Sequence, residues 1–231
     1  MSLRFSSEEA SYGNTTSLVA LAEILGQIKA DPEIRVLILE GGQRSFFHGA
    51  SKEFLVEAEL PEIASVAGDV PRLILSLPIP TIAAMSGHAV GGALILGLCC
   101  DIPLLAEEAL YGVNFLTLGF TPGLGATAIL EDSVGAPLAR ELLFTGRLYK
   151  GRYFRGGPLN KAILPRAEVL NRAMSIASEI GRRSPAAVQM LKDALSSRRR
   201  HRLEAALAEE REMHKICFSD PQVRATIAAR Y

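Results

Sequence analysis

Residues 79–112, IPTIAAMSGHAVGGALILGLCCDIPLLAEEALYG, decide the fold, because two apolar runs meet there across paired glycines. Pro80 to Met85 is short, apolar and bounded by Pro on one side and Ser-Gly on the other, which predicts a buried strand. Gly87 to Gly92 reads as a turn, Ala93 to Cys100 as a helix apolar on every face, and DIPLLAE (101–107) as the next strand. A strand, a buried helix and a strand in succession predict an α/β layer structure. Gly91 and Gly92 admit two readings. They permit a tight strand-to-helix turn, or they open the first turn of the helix, where free N–H groups and the positive dipole end can hold an anion or oxyanion. Neither G-x-G-x-x-G nor a P-loop is present, so a nucleotide cradle is disfavoured.

Outward from this stretch the alternation continues. Upstream, Asn14 to Ser17 offer caps to a helix whose Leu18, Leu21, Leu25 and Ile28 share one face; Asp31-Pro32 ends it, and IRVLILE (34–40) follows as a buried strand stopping at Gly41-Gly42. Residues 61–76 predict a further helix. Downstream of Pro185, helical spacing recurs over Ala187–Leu195 and Leu203–His214. No fixed-period repeat or low-complexity linker divides the chain.

Composition sets the outer bounds. The 231 residues are 48% hydrophobic, enough for a substantial single core. Twenty-five basic residues balance twenty-five acidic ones, so bulk charge points neither to nucleic acid nor to an anionic membrane. Three cysteines, two of them adjacent, form no disulfide framework and no metal-ligand spacing, as expected of a reducing cytoplasm. The opening MSLRFSSEEA has no apolar core of an export signal, and Ala93 to Cys100 is too short to span a bilayer. Residues 182–202 carry Arg182, Arg183, Lys192, Arg198, Arg199, Arg200 and Arg202 against Asp193 alone. That run is either a solvated helix face or a surface complementary to an acidic partner.

Four ordered blocks, FFHGASKEFL (46–55), residues 79–112, LGFTPGLGAT (118–127) and ELLFTGRLY (141–149), resemble the crotonase, or enoyl-CoA hydratase/isomerase, family. The resemblance implies a crotonase spiral fold of ββα units with a helical C-terminal extension. It divides one continuous domain into a core (1–180) and a helical trimerisation and lid region (181–231), assembled as a trimer or dimer of trimers. It implies no metal, flavin or nicotinamide. The opening residues show no clear copy of the family's first strand pair. Two backbone N–H groups that hold a thioester oxyanion in the family fall on Ala50 and Gly92. The two glutamates of its hydratases fall on Ile95 and Phe115, neither of which transfers protons. Glu107 and Glu108 stand nearby at a strand end, where a solvated surface is the simpler reading.

Within the family, GASKEFL, YGVNFLTLGFTPGLGAT (111–127) and EMHKICF (212–218) resemble the 3-methylglutaconyl-acyl-carrier-protein decarboxylases of polyketide β-branching. This implies decarboxylation of a carrier-bound 3-methylglutaconyl thioester to a 3-methylcrotonyl-type product, with Lys52 and His214 beside the departing carboxylate. An enoyl isomerase, a combined dehydratase/decarboxylase and a thioester-binding scaffold remain alternatives. Lys52 follows Ser51, an N-cap, so its cation stands in a first helical turn against the dipole; it reads either as a functional misfit or as an exposed lysine. His214, seven residues after Leu207 and eleven after Leu203, returns to the apolar stripe, as a proton donor or as a packed core histidine. His48 occupies a place where the resemblance leads one to expect a tyrosine, and reads equally as a substrate contact or a packed turn residue. The basic run 182–202 would then meet an acidic carrier protein.

Overall fold

The computed structural model describes residues 1–4, 15–47, 49–57 and 60–230, and leaves the side chains of residues 2–4, 15–18 and 60–67 outside that description. The strands are β1 (Ser2–Arg4), β2 (Leu37–Glu40), β3 (Thr81–Met85), β4 (Ala89–Val90), β5 (Ile102–Ala106), β6 (Leu110–Gly112), β7 (Leu148–Lys150) and β8 (Ile163–Leu164). The helices are α1 (Thr15–Ala30), α2 (Lys52–Glu57), α3 (Leu60–Ser76), α4 (Gly92–Cys99), α5 (Ala126–Val134), α6 (Ala136–Thr145), α7 (Arg166–Gly181), α8 (Pro185–Phe218) and α9 (Pro221–Arg230). A parallel sheet runs β1-β2-β3-β5-β8, and a smaller sheet runs β4-β6-β7, with β4 parallel and β7 antiparallel to β6. Residues 2–4 therefore form an opening strand in register with Ile38 to Glu40, which the sequence does not announce. Three residues carry no period of their own and take their conformation from the edge of β2.

The central strand β3 is buried along its whole length, TIAAM, as a strand covered on both faces requires. Residues Ala93 to Cys99 of α4 are likewise buried throughout. Gly97 makes this packing possible, since a Cβ there would lie 2.4 Å from the Met85 sulfur. Cys99 and Cys100 are free and buried, and burial pushes the Cys99 thiol up to about 12. No helix among the described residues is long and apolar enough to cross a membrane.

The C-terminal residues form one helix of 34 residues, α8, rather than two segments, and it packs on α3 and α5. Part of the basic run is turned inward, while Arg182, Arg183, Arg198 and Arg202 stay exposed. Lys192, 4% exposed, donates to both carboxylate oxygens of Asp101 at 2.8 and 2.7 Å. Asp101 also accepts from the Thr81 N–H at 2.8 Å, so one part-buried ion pair ties α8 to the starts of β3 and β5. Arg199 donates to the carbonyls of Leu98 and Cys100 at the C-terminal end of α4, where the helix dipole favours a cation. Arg200 reaches the Leu75 carbonyl and Asp193, while Arg202 pairs with Asp132 and Glu131. Four of the seven charges read as a possible docking surface thus have partners within the chain.

Candidate active site

A cavity of about 210 Å³ opens where the loop after β2, the turn into α4 and the segment after β6 converge. Ser45 bridges in parallel to His88, and the Phe46 N–H donates to the His88 carbonyl at 2.8 Å, which brings the 45–50 loop against the α4 turn. Ala50, Gly91 and Gly92 all line the cavity. Gly91 has φ 61°, a left-handed value that a side chain would strain, and its N–H donates to the Gly112 carbonyl at 2.9 Å. Its carbonyl accepts from Leu94 and Ile95, starting the helix. Gly92 is the first helical residue, where an N–H has no intrahelical acceptor and the dipole is positive. The two positions expected to hold an oxyanion are therefore brought to one cavity wall.

Gly92 is also packed from outside. A Cβ on it would lie 2.6 Å from Leu124 Cδ1. Leu124 is the one described non-glycine residue with positive φ, at 66°, and Gly125 follows at 75°. That strained turn is held from α8. The Glu210 carboxylate, 1% exposed, accepts from the Gly125 N–H at 2.7 Å and from the Thr127 N–H and hydroxyl at 3.0 and 2.8 Å. Burial pushes this carboxyl up, against the opposing pull of the three donors. Sequence reasoning did not single out Glu210; four residues before His214, it shares the inward face of α8.

His214 is 7% exposed and donates its Nε2–H to the Thr121 carbonyl at 2.9 Å. Its ring sits edge-on to Phe120 and Phe218, at centroid distances of 6.3 and 5.7 Å, and a Cβ on Gly123 would lie 2.9 Å from Cε1. Phe120 lines the cavity and contacts the His214 ring, and His214 itself is not among the wall residues. Burial lowers the His214 pKa, against the opposing effect of the Thr121 and Pro122 carbonyls. A base with a depressed folded pKa contributes stability that is present above its unfolded value, near 6.5, and is lost as pH falls through the folded value. Urea midpoints measured from pH 7.5 down to pH 5 are expected to fall less steeply in His214→Phe than in the native chain; parallel curves would show that the residue does not titrate on unfolding.

Lys52 begins α2, half-buried, and Ser51 caps the helix by accepting from the Phe54 N–H at 3.1 Å. No described carboxylate pairs with Lys52, and it too stands outside the cavity wall, two residues beyond Ala50. His48 lies outside the described residues. Ile95 is fully buried, and Phe115 lines the wall, edge-on to Phe120 at 5.8 Å. Glu107 pairs with Arg155 and Glu108 accepts from the Arg166 N–H, both away from the cavity. Among the described residues no carboxylate lines the wall. Its described polar side chains are Ser45, His88 and Asn114, none of which sequence reasoning singled out, because no motif read in the sequence gave them a role. The Leu110 N–H donates to His88 Nδ1 at 2.8 Å, so the neutral ring carries its proton on Nε2. Burial, reinforced by the positive charges of Arg166 and Arg44, lowers the His88 pKa and favours that neutral form. Among the described residues no group of three or more His, Cys, Asp or Glu side chains could hold a metal ion.

Residues 14–230 match the family model described as enoyl-CoA hydratase/isomerase. Bacillaene synthase decarboxylase PksI of Bacillus subtilis is 34% identical over 213 residues, which is 91% of this chain and 85% of that protein. A solved structure from a dehydratase/decarboxylase enzyme couple involved in polyketide β-branching superposes with a TM-score of 0.90 at 31% identity, covering 100% of this chain and 91% of its own. The ECH2 decarboxylase domain of CurF from Lyngbya majuscula superposes with a TM-score of 0.87 at 29% identity, covering 100% and 94%.

Proposed function

This chain belongs to the enoyl-CoA hydratase/isomerase family, and from that premise we propose that it decarboxylates a 3-methylglutaconyl thioester carried on an acyl carrier protein, in polyketide β-branching. One observation carries the choice of reaction within the family: the cavity that gathers Ala50 and Gly92 has no carboxylate among the described residues of its wall. Adding or removing water needs groups that move protons at the start of the reaction. Decarboxylation does not. The bond to the carboxylate breaks, CO2 leaves, and the released electron pair flows through the conjugated chain onto the thioester oxygen. The backbone N–H groups of Ala50 and Gly92 receive that developing negative charge. A single proton then returns to carbon, giving the 3-methylcrotonyl-type thioester. An anionic wall would repel the substrate's own carboxylate, whereas Phe115 and Phe120 surround the reacting chain with low-dielectric surface that strengthens the amide contacts. The reaction needs no redox partner.

Lys52 supplies the cation that draws the substrate carboxylate, from the first turn of α2 close to Ala50. His214, packed against Phe120 of the cavity wall, supplies the returning proton. His48, in the same block as Ala50, contacts the acyl group. The C-terminal region 181–231 serves trimer contacts and closes the site. Exposed Met174, Met190, Leu191, Leu195 and Ile216 on α7 and α8 support such contacts, and the three free cysteines suit the reducing cytoplasm.

Mass spectrometry of a 3-methylglutaconyl carrier protein incubated with the enzyme tests the reading. Loss of one CO2, slowed in Lys52→Ala and in His214→Ala, is the expected result. An unchanged mass with the native chain overturns it and leaves a thioester-binding protein; CO2 loss undiminished in either variant removes that residue from the mechanism.

A further inference from the structure

We infer that Asn114 is the side chain that orients the departing carboxylate of the substrate inside the cavity, an inference that rests on the decarboxylase reading above. Three polar side chains line the wall among the described residues, and the Ser45 hydroxyl is already engaged. The Ser45 hydroxyl lies 3.1 Å from the Phe47 carbonyl, to which it donates its one proton. The His88 ring is anchored through Nδ1 to the Leu110 N–H and offers the cavity a single Nε2–H donor, against the two of a carboxamide. The Asn114 carboxamide holds no hydrogen bond to a described residue, although its backbone is pinned: its carbonyl accepts from the Leu118 N–H at 3.2 Å and from the Thr117 hydroxyl at 2.7 Å. Its Oδ1 lies against Gly91, 3.0 Å from where a Cβ on that glycine would stand. With Oδ1 on the Gly91 side, this cavity-lining carboxamide keeps two NH2 donors with no acceptor among the described residues.

A carboxylate accepts from such a group, and the place is suitable. Asn114 immediately precedes Phe115, which stands where the family's hydratases carry a proton-transferring glutamate, beside the reacting carbons. The electron pair of the breaking bond reaches the thioester only if that bond stands across the conjugated plane, so fixing the carboxylate's direction lowers the barrier. A neutral donor does this without the strong ground-state stabilisation that a contacting cation would give to a charge about to vanish. Lys52, outside the wall, adds attraction at longer range.

Two unreactive carrier-bound thioesters separate this role from packing: glutaryl, which ends in a carboxylate, and pentanoyl, which ends in a methyl group at the same chain length. Asn114→Leu, close in size but without donors, is expected to bind the glutaryl carrier about 10-fold more weakly, as for a lost hydrogen bond to a charged group, and the pentanoyl carrier within about two-fold. Asn114→Asp is expected to bind glutaryl more weakly still and to recover as pH falls and the new carboxyl protonates. Unchanged pentanoyl binding reports that each variant is folded. Equal losses on both thioesters, or none on either, overturn the inference. Release of CO2 by the native chain tests the decarboxylase reading independently: its failure alongside a glutaryl-selective loss sinks that reading and leaves Asn114 as a carboxylate-binding residue.

Discussion

Gly92→Pro, introduced with Leu124→Ala, is expected to lower kcat by about 10²–10³ relative to Leu124→Ala alone, with substrate affinity little changed. Backbone donors cannot ordinarily be deleted by substitution, but this one can. Gly92 is the first residue of α4, the helical position where proline is tolerated because its missing N–H has no intrahelical acceptor. The substitution therefore removes the oxyanion donor while leaving the helix a reason to form. Its ring needs room that Leu124 Cδ1 occupies, 2.6 Å from the Cβ position, and this is why the second substitution accompanies it. Gly92→Ala in the same background is the control, since it adds the Cβ and keeps the N–H. Single-turnover CO2 release with all three proteins reads the result. A proline variant as fast as the alanine variant would show that the Gly92 amide does not hold the developing charge.

The parts of this molecule legible in the sequence are those whose burial is complete. β3 and α4 are apolar on every face because both lie inside the core, and the glycines at 91 and 92 mark the one place where their junction must turn. The inward direction of His214 followed from its spacing to Leu203 and Leu207, and all three are buried. Charge was harder to read. Lys192, Arg199 and Arg202 form a basic run on paper, yet their acceptors are Asp101, the Leu98 and Cys100 carbonyls and Asp132, remote in sequence and invisible until the chain is folded. Glu210 sits among Glu209, Arg211 and Glu212 and resembles a solvated face for the same reason. The site itself is poorly written in side chains, since its central groups are backbone amides. The side chain we assign to the carboxylate, Asn114, is neutral and lies in a segment read for its glycines and for the absence of a glutamate at 115.

Glu210→Ala is expected to destabilise the chain by about 3–5 kcal/mol, the sum of several unmet donors at roughly 1–3 kcal/mol each less what entering water recovers. The carboxylate satisfies the Gly125 and Thr127 N–H groups at the start of α5 and lends that helix terminus a negative charge. Without it Leu124 loses the anchor that holds φ at 66°, and its side chain no longer needs to rest on Gly92, so activity should fall with stability. Glu210→Gln keeps the shape and one acceptor but turns an NH2 towards a donor, which places it between the native chain and the alanine variant. The pH dependence opposes that of His214 one turn away. Burial raises the Glu210 pKa when folded, so its contribution is fully present below its unfolded value, near 4.3, and is lost as pH rises through the folded value. His214 loses its contribution as pH falls. Guanidinium unfolding of the three proteins between pH 4.5 and 7.5 should therefore show native stability declining less towards neutrality in Glu210→Gln than in the native chain, once the His214 slope, common to both, is subtracted. Identical slopes would mean that Glu210 binds its proton equally in the folded and unfolded chain, and that its three donors fully offset its burial.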